Sequence, residues 1–498
     1  MTRSRRSPIA FAALLLGAAV AIPAAAAVRF GMATAPATLD PLLATDAASE
    51  RLCRLIYGRL VDFDAHYRPA PALADWERLS PDRYRFTLRQ EPRVSRRFHD
   101  GTRLTAADVK ATYEAILDPE RASPHRGSLA MIAGIEALDG ERLEFRLNRA
   151  DPDFPGRLTI GIVPAAAVAG GRMPGDRPVG SGRFRFVARP DDSRLELQRL
   201  ADGETFTFHA VPNPTVRALK LARGELDLIQ GDMPPEMLDW LARQPDLELR
   251  RARGDSVAYL GFNLRDPVLA RPAIRAAIAL AIDRAAIVRY VFAGRARVAA
   301  GLLPPDHWAA GGEALAAGRD LDRARALLRA EGHDQQRPLR LTYKTSSDPL
   351  RVRLATILQA QLREAGIEVE LHTYDWGTFY ADVKAGRFQM YSLSWVGLKL
   401  PDIFRYAFHS ASRPPAGANR GGYADAEVDA LIEQADRAAD DSERQALYAR
   451  IAARLAADHA FVPLWHEDVT VAVRRRVAGY TPVADGNYDA LAGIRITP

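Results

Sequence analysis

Cysteine is almost absent from this sequence, and its absence excludes several kinds of chemistry. Cys53 is the only cysteine among 498 residues, so neither an internal disulfide framework nor a multi-cysteine metal site is expected. Its apolar neighbours Leu52, Leu55 and Ile56 predict a small buried side chain. Beyond the N-terminus, no apolar run approaches the roughly 18 residues of a membrane span.

A large excess of charge of one sign is also missing. The chain has 68 Lys and Arg residues and 62 Asp and Glu residues, which leaves a net charge of +6. Without its first 27 residues, which hold three arginines and no acid, the net charge falls to +3. The charges are interspersed, and the basic run Arg474–Arg476 is too short to form a patch. A nucleic-acid partner is therefore not predicted.

The sequence motifs of common exported hydrolases are lacking as well. His466-Glu467 is not followed by the second histidine of an HExxH zinc motif. The glycine turn around Ser181 reads V-G-S-G-R and enters a strand, whereas a nucleophile elbow needs G-x-S-x-G between a strand and a helix. The sequence therefore predicts no catalytic residue, no bound metal and no cofactor.

The N-terminus has the pattern of a targeting segment. Arg3, Arg5 and Arg6 precede the apolar stretch Ile9–Val20, and the small residues Ala24–Ala27 follow it. That order predicts a secretory signal peptide cleaved near Ala27. No cysteine follows the apolar stretch, so a lipid anchor is not expected. The mature protein is predicted to be exported and soluble.

The remaining chain mixes strand and helix patterns. Alternating apolar residues predict a strand over Arg83–Leu88, and Thr105 is the expected N-cap of the helix that follows. The helical pattern of Leu350–Ala365 lies between two predicted strands, Leu339–Lys344 and Ile367–Leu371. A strand-helix-strand order implies a right-handed crossover in a parallel or mixed sheet. The predicted fold class is α/β.

One stretch, Tyr391–Tyr423, has the composition of a binding region. It begins as a buried strand, turns at Trp-Val-Gly, and forms a short amphipathic segment over Asp402–Phe408. A loop rich in Pro, Gly, Asn and Arg follows. Long loops on a rigid scaffold are uncommon unless they are functional or disordered, so this stretch is the first candidate for a site.

In its order of segments, the chain resembles the family 5 extracellular solute-binding proteins, which serve ABC transporters for oligopeptides, dipeptides, nickel complexes and related solutes. The FHDG turn before the LTAADV helix is specific to that family, and the match spans nearly the whole chain after the signal peptide. Further matching stretches are TLDPLLATDAA, RYRFTLR, PVGSGRF, ALKLARGELDL, LGFNLRDPVLARPAIRAAIALAIDRAAIV, ARALLRAEGH, LREAGIEVEL, NRGGYADAEVDALI and FVPLWHEDV.

The resemblance implies a two-lobed periplasmic-binding-protein type II clamshell, with an extra subdomain in the first lobe. Strands near Tyr259–Asn263 and Trp465–Val471 would cross between the lobes as a hinge, and closure around a ligand is the expected motion. The implied division is a signal peptide at 1–27, lobe I at 28–58, 176–258 and 468–498, the extra subdomain at 59–175 and lobe II at 259–467.

The resemblance also places one edge of the ligand cleft just after the W-x-G turn, at Trp395 and Gly397 and along the loop that follows. Peptide-binding relatives usually have an aspartate three residues after this tryptophan, where it holds the α-amino group of the peptide. This sequence has Leu398 there, followed by Lys399. A buried ammonium needs a paired carboxylate, so the departure leaves the ligand open.

Three arrangements are compatible with this departure. Asp402 replaces the missing aspartate, or Lys399 and Arg420 bind an anionic group such as a carboxylate or phosphate. In the third arrangement both charges are solvated, and backbone and aromatic groups hold the ligand.

The remaining candidate ligand contacts are Trp376, Tyr406, His409 and Asn419. Tyr406 and His409 lie about one helical turn apart, so either can face the cleft. For Trp376, packing in the core is an equal alternative. A lone histidine such as His409 is more often a hydrogen-bonded structural residue. If His409 faces the cleft, however, it could bind a metal chelate.

The function implied by the resemblance is that of a periplasmic receptor. It would deliver a peptide or peptide-like solute to an ABC permease in the inner membrane, and by analogy it would be a monomer. The alternatives are a receptor for a metal chelate of the nickel or haem type or another anionic solute, a receptor that signals to a membrane partner, and an exported hydrolase.

Overall fold

The computed structural model describes residues 27–90, 96–170, 177–310 and 318–497. The predicted signal peptide lies outside the described residues, apart from Ala27. Within the described ranges, no helix has both the length and the apolar character needed to cross a membrane.

The chain forms alternating strands and helices. The strands are β1 Val28–Met32, β2 Val61–Phe63, β3 Pro69–Pro71, β4 Ala74–Ser80, β5 Arg83–Leu88, β6 Ile132–Ala137, β7 Arg142–Leu147, β8 Phe184–Asp191, β9 Arg194–Arg199, β10 Thr205–Ala210, β11 Leu228–Gln230, β12 Leu247–Ala252, β13 Val257–Phe262, β14 Ala296–Val298, β15 Leu339–Ser346, β16 Ile367–Tyr374, β17 Met390–Trp395, β18 Phe461–Glu467, β19 Val469–Arg474, β20 Val477–Ala478 and β21 Arg495–Ile496. The helices are α1 Ala47–Ile56, α2 Ala106–Leu117, α3 Ala165–Ala169, α4 Pro214–Ala222, α5 Pro235–Ala242, α6 Pro272–Ala281, α7 Arg284–Ala286, α8 Leu321–Ala330, α9 Pro349–Glu364, α10 Trp376–Ala385, α11 Ile403–Phe408, α12 Ala426–Arg437 and α13 Asp441–Ala457.

Two large sheets define two lobes. The seven-stranded sheet has the order β12-β19-β11-β1-β10-β9-β8, and the six-stranded sheet has the order β14-β18-β13-β17-β15-β16. A third, four-stranded sheet, β4-β5-β7-β6, shares one continuous hydrophobic core with the seven-stranded sheet. We call this combined body the first lobe and the body built on the six-stranded sheet the second lobe. The predicted α/β fold with two lobes is confirmed.

Local sequence signals account for several of these elements. The strand predicted over Arg83–Leu88 is β5. At the start of α2, the backbone N–H of the predicted N-cap Thr105 donates to the Asp108 carboxylate at 2.8 Å. β15 and β16 pair in parallel across α9, as the strand-helix-strand pattern predicts.

The chain passes between the two large sheets twice. β12 and β13 belong to different sheets, so residues 253–256, which join them, form the first crossing. β18 and β19 also belong to different sheets, and Asp468, which separates them, forms the second crossing. The first crossing was expected near Tyr259–Asn263. Tyr259 already lies inside the six-stranded sheet, so the crossing comes just before that stretch. The second crossing falls within the expected stretch Trp465–Val471.

The two crossings lie side by side at Gly254. A Cβ atom added to Gly254 would lie 1.9 Å from the carbonyl oxygen of Glu467, which is a backbone atom of the second crossing. The glycine is therefore required by close approach of the two segments.

We expect Gly254→Ala to lower the free energy of unfolding by about 1–3 kcal/mol, because one of the two crossings must shift to admit the methyl group. Urea denaturation followed by tryptophan fluorescence measures the loss. Gly140→Ala is the matched control, since nothing lies within 4 Å of its added Cβ. Equal stability of the two variants would contradict the close approach.

Candidate functional site

A cavity of about 560 Å³ lies between the two lobes. The first lobe lines it with α1 and with segments at 41–63, 125–161 and 485–487, and the second lobe lines it with residues 396–406. Clefts of this size between lobes are where small-molecule sites usually form.

Helix α1 presents one polar face to this cavity. The Asp46 side chain accepts the Ser49 N–H at 2.9 Å and caps the helix. Its apolar residues are buried in the first lobe, and the opposite face lines the cavity with Ala47, Glu50, Arg51 and Arg54. These positions are three or four residues apart, which is the spacing of one helix face. That spacing is visible in the sequence, and it is the signal from which this polar face could be predicted.

The second lobe contributes the turn that follows β17. Gly397 has φ 66°, a left-handed conformation that favours glycine, and it turns the chain back along the cavity. Of the residues predicted to bind ligand, five line the cavity: Gly397, Leu398, Lys399, Asp402 and Tyr406.

Lys399 and Asp402 do not point freely into the cavity, because each is paired with the other lobe. The Lys399 ammonium forms an ion pair with Asp485, and Asp402 accepts a hydrogen bond from Arg157 at 2.7 Å. Arg157 also binds Asp151 at 2.7 Å. These pairs link the lobes across the cleft.

Asp485 is held in its charged form. Burial acts to raise its pKa, but the charges of Lys399 and Arg54 outweigh burial and hold the pKa well below its usual range. In this structure both Lys399 and Asp402 are paired with the first lobe, and the three arrangements expected from the sequence differ in what these charges do toward a solute.

Asp255, on the first crossing, was not predicted as part of the site. Its side chain is 1% exposed, and within the described ranges it has no ion-pair partner; the backbone N–H of Gly397 is its one neighbouring donor outside its own residue, and the contact is too poorly aligned to count as a full hydrogen bond. Burial, followed by the charge of nearby Asp485, raises its pKa to about 7, while Lys399 acts in the opposite direction. A single aspartate between two strands carries no pattern that would reveal this in a sequence.

Arg420 lies apart from Lys399, in a smaller cavity of about 30 Å³ that Trp395 and Asn419 also line. Its guanidinium donates to the hydroxyl of Tyr259 at 2.9 Å and lies 4.9 Å from the Trp395 ring. The cation is therefore enclosed by aromatic groups, and it does not form a joint anion site with Lys399 in this structure.

His409 and Trp376 line neither cavity. His409 is buried against α12, where its Nε2 lies 3.6 Å from Glu433. Trp376 is 59% exposed and stacks on Tyr380 at 5.3 Å, so it is not a core residue. In the described parts of the chain, no group of three or more His, Cys, Asp or Glu side chains is arranged to hold a metal ion.

Comparison with known proteins agrees with this architecture. The model of the bacterial extracellular solute-binding proteins, family 5 Middle, matches residues 67–414. A probable di/tripeptide-binding protein 5 of Pseudomonas aeruginosa is 28% identical, over 90% of this chain and 91% of the relative. Heme-binding protein A of Haemophilus influenzae is 25% identical, over 93% of this chain and 91% of the relative.

A solved structure gives the same result for the fold. The periplasmic binding protein DppA of Helicobacter pylori, in complex with the peptide STSA, superimposes with a TM-score of 0.77 at 25% identity, covering 95% of this chain and 98% of that one. The family model spans well over half of the sequence. The chain therefore belongs to the family 5 bacterial extracellular solute-binding proteins, and it has their two-lobed, type II periplasmic-binding-protein fold.

Proposed function

We propose that this protein is the periplasmic substrate-binding component of an ABC importer. It captures a peptide or peptide-like solute between its lobes and delivers the solute to a permease in the inner membrane. The observation that carries this proposal is the cavity of about 560 Å³ that both lobes line. The division into segments, the cleavage near Ala27 and the monomeric state belong to the same proposal.

The ion pairs across the cleft explain how a closed form is held. Arg157–Asp402 and Lys399–Asp485 join opposite walls of the cavity, and the two crossings provide the axis about which the lobes rotate. Opening exposes the cavity and breaks these pairs, and closure buries the solute.

The composition of the walls supports a solute with both polar and apolar parts. Apolar contacts are available from Phe63, Ile160 and Leu398, and charged groups come from α1. A second candidate, an anionic metal chelate, is favoured by Arg51, a cavity-lining arginine for which the described residues offer no ion-pair partner. The haem-binding relative belongs to the same family.

We expect a cognate solute to stabilise the protein by RT ln(1+[L]/Kd), which is about 2.7 kcal/mol at a hundredfold excess over Kd. Thermal unfolding of the mature protein with a panel of dipeptides, tripeptides, glutathione, haem and nickel–histidine measures this gain. Native mass spectrometry of the protein as purified identifies a solute already bound.

Ala47→Trp is the control for this experiment. Ala47 is exposed on the cavity face of α1, so an indole there fills the cavity and leaves the core intact. The variant should fold normally and gain no stability from a solute that stabilises the wild type. A panel without any wild-type shift, or an equal shift in the variant, would count against the proposal.

A further inference from the structure

Most charges on the cavity walls are already neutralised by the protein. The charged side chains that have an ion-pair partner are Arg54, Arg59, Arg157, Lys399, Asp402 and Asp485. Asp62, which pairs with Arg54 and Arg59, does not itself line the cavity. A solute would have to break one of these pairs to use its charge.

Glu50 is an exception. It lies on the cavity face of α1, its side chain is exposed there, and it has neither an ion pair nor a hydrogen bond to the rest of the described chain. The protein around the cavity displaces much of the neighbouring water, which raises the pKa of Glu50 to about 7, and Asp46 adds to the effect. The carboxylate therefore gains from a cationic partner.

Arg51, the next residue, is the second exception. Its guanidinium lies 5.6 Å from the ring of Tyr488 and beside Gly486, and no carboxylate pairs with it within the described ranges. A planar guanidinium with unused donors is the usual partner of a carboxylate. Two open charges of opposite sign thus stand side by side on one helix face.

We propose that Glu50 and Arg51 are the ionic anchors of the solute, with Glu50 binding an ammonium group and Arg51 binding a carboxylate. The cavity then selects zwitterionic solutes, such as peptides with both ends free. This inference rests on the proposed function and adds the substrate class. It also assigns to α1 the role that Leu398 and Lys399 cannot fill.

Energetics favour these two residues over the other charges. Separating Lys399 from Asp485 leaves a buried carboxylate without its ion-pair partner, and such a loss is strongly unfavourable. Binding at Glu50 and Arg51 breaks no ion pair. The links between the lobes therefore stay in place around the bound solute.

Three forms of one dipeptide test the proposal: alanyl-leucine, its N-acetyl derivative and its C-terminal amide. Isothermal titration calorimetry measures the binding of each to the wild type, Glu50→Gln and Arg51→Gln. Glu50→Gln should weaken the free dipeptide and the amide tenfold or more and leave the N-acetyl form unchanged. Arg51→Gln should weaken the free dipeptide and the N-acetyl form and leave the amide unchanged.

Glu443→Gln is the matched control, because Glu443 is also an exposed acid in the first turn of a helix but lies outside the cavity. It should bind all three forms like the wild type. Equal losses for the three forms, or no loss, would overturn the anchoring roles. If haem is the one solute of the panel that the wild type binds, zwitterion selection is refuted and the receptor function stands, because haem has no ammonium group. If it binds nothing, both fail.

Discussion

Replacing Arg444 by methionine is expected to lower the free energy of unfolding by about 3–5 kcal/mol, the usual loss when one partner of a buried ion pair is removed. Arg444 on α13 of the second lobe binds Asp153 of the first lobe at 2.5 Å, and both side chains are less than a tenth exposed. Its guanidinium also lies 4.9 Å from the Trp308 ring. Methionine keeps most of the volume and removes the charge.

The large loss follows from what happens to Asp153. Burial raises its pKa to about 6 even with Arg444 present, and the Arg444 charge opposes that rise. Without Arg444 the carboxylate must be buried alone or take up a proton, and either state is less stable than the pair.

Two further variants separate this effect from a general loss of packing. Arg450→Met changes another arginine of α13, one that is 60% exposed and 3.8 Å from Glu427, and it should cost at most about 1 kcal/mol. The double variant Arg444→Met with Asp153→Asn removes both charges and should recover part of the loss. Urea denaturation measures all of them. A loss below about 1 kcal/mol for Arg444→Met would show that Asp153 becomes hydrated instead.

Local sequence patterns predicted the elements of the fold but not the partners of its charges. The strand over Arg83–Leu88 and the cap at Thr105 depend on residues within a few positions, and the structure has both. The partner of Lys399 lies 86 positions away, and that of Asp402 lies 245 positions away. Without the fold, nothing in the sequence brings these residues together.

Within the candidate site, too, the sequence predicts which residues lie together along one segment but not which distant groups they contact. Gly397 to Tyr406 follow one strand and line the cavity together, so their shared position could be predicted from the resemblance. Asn419 accepts the Tyr423 N–H at 2.9 Å and donates to the His409 carbonyl at 3.1 Å, which ties the loop back on itself. That closure places Arg420 among aromatic rings, and composition alone does not reveal it.

Replacing Asp255 by asparagine is expected to stabilise the protein above pH 7 by about 2–4 kcal/mol. The pKa of Asp255 rises from 3.8 to about 7 on folding. Below pH 3.8 both folded and unfolded chains hold the proton, so Asp255 has no cost there. Between pH 3.8 and 7 only the folded chain holds it, so wild-type stability falls as pH rises through this range. Above pH 7 the carboxylate is charged and buried, with no ion-pair partner among the described residues.

The experiment is urea denaturation of wild type and Asp255→Asn at pH 4 and pH 8. The two proteins should have nearly equal stability at pH 4, and the variant should be more stable at pH 8. Asp322→Asn, at a side chain that is 98% exposed, should match the wild type at both values. A variant without any advantage at pH 8 would show that Asp255 is hydrated or paired.

Asp485→Asn should have the opposite effect. Lys399 holds the pKa of Asp485 below its usual range, so this carboxylate stabilises the protein above pH 3.8 and loses that contribution as pH falls. Its asparagine variant is therefore expected to be less stable than the wild type at pH 8. Two neighbouring aspartates would then show opposite signs, because Lys399 directly pairs with one and not with the other. A general change in net charge would move both variants in the same direction.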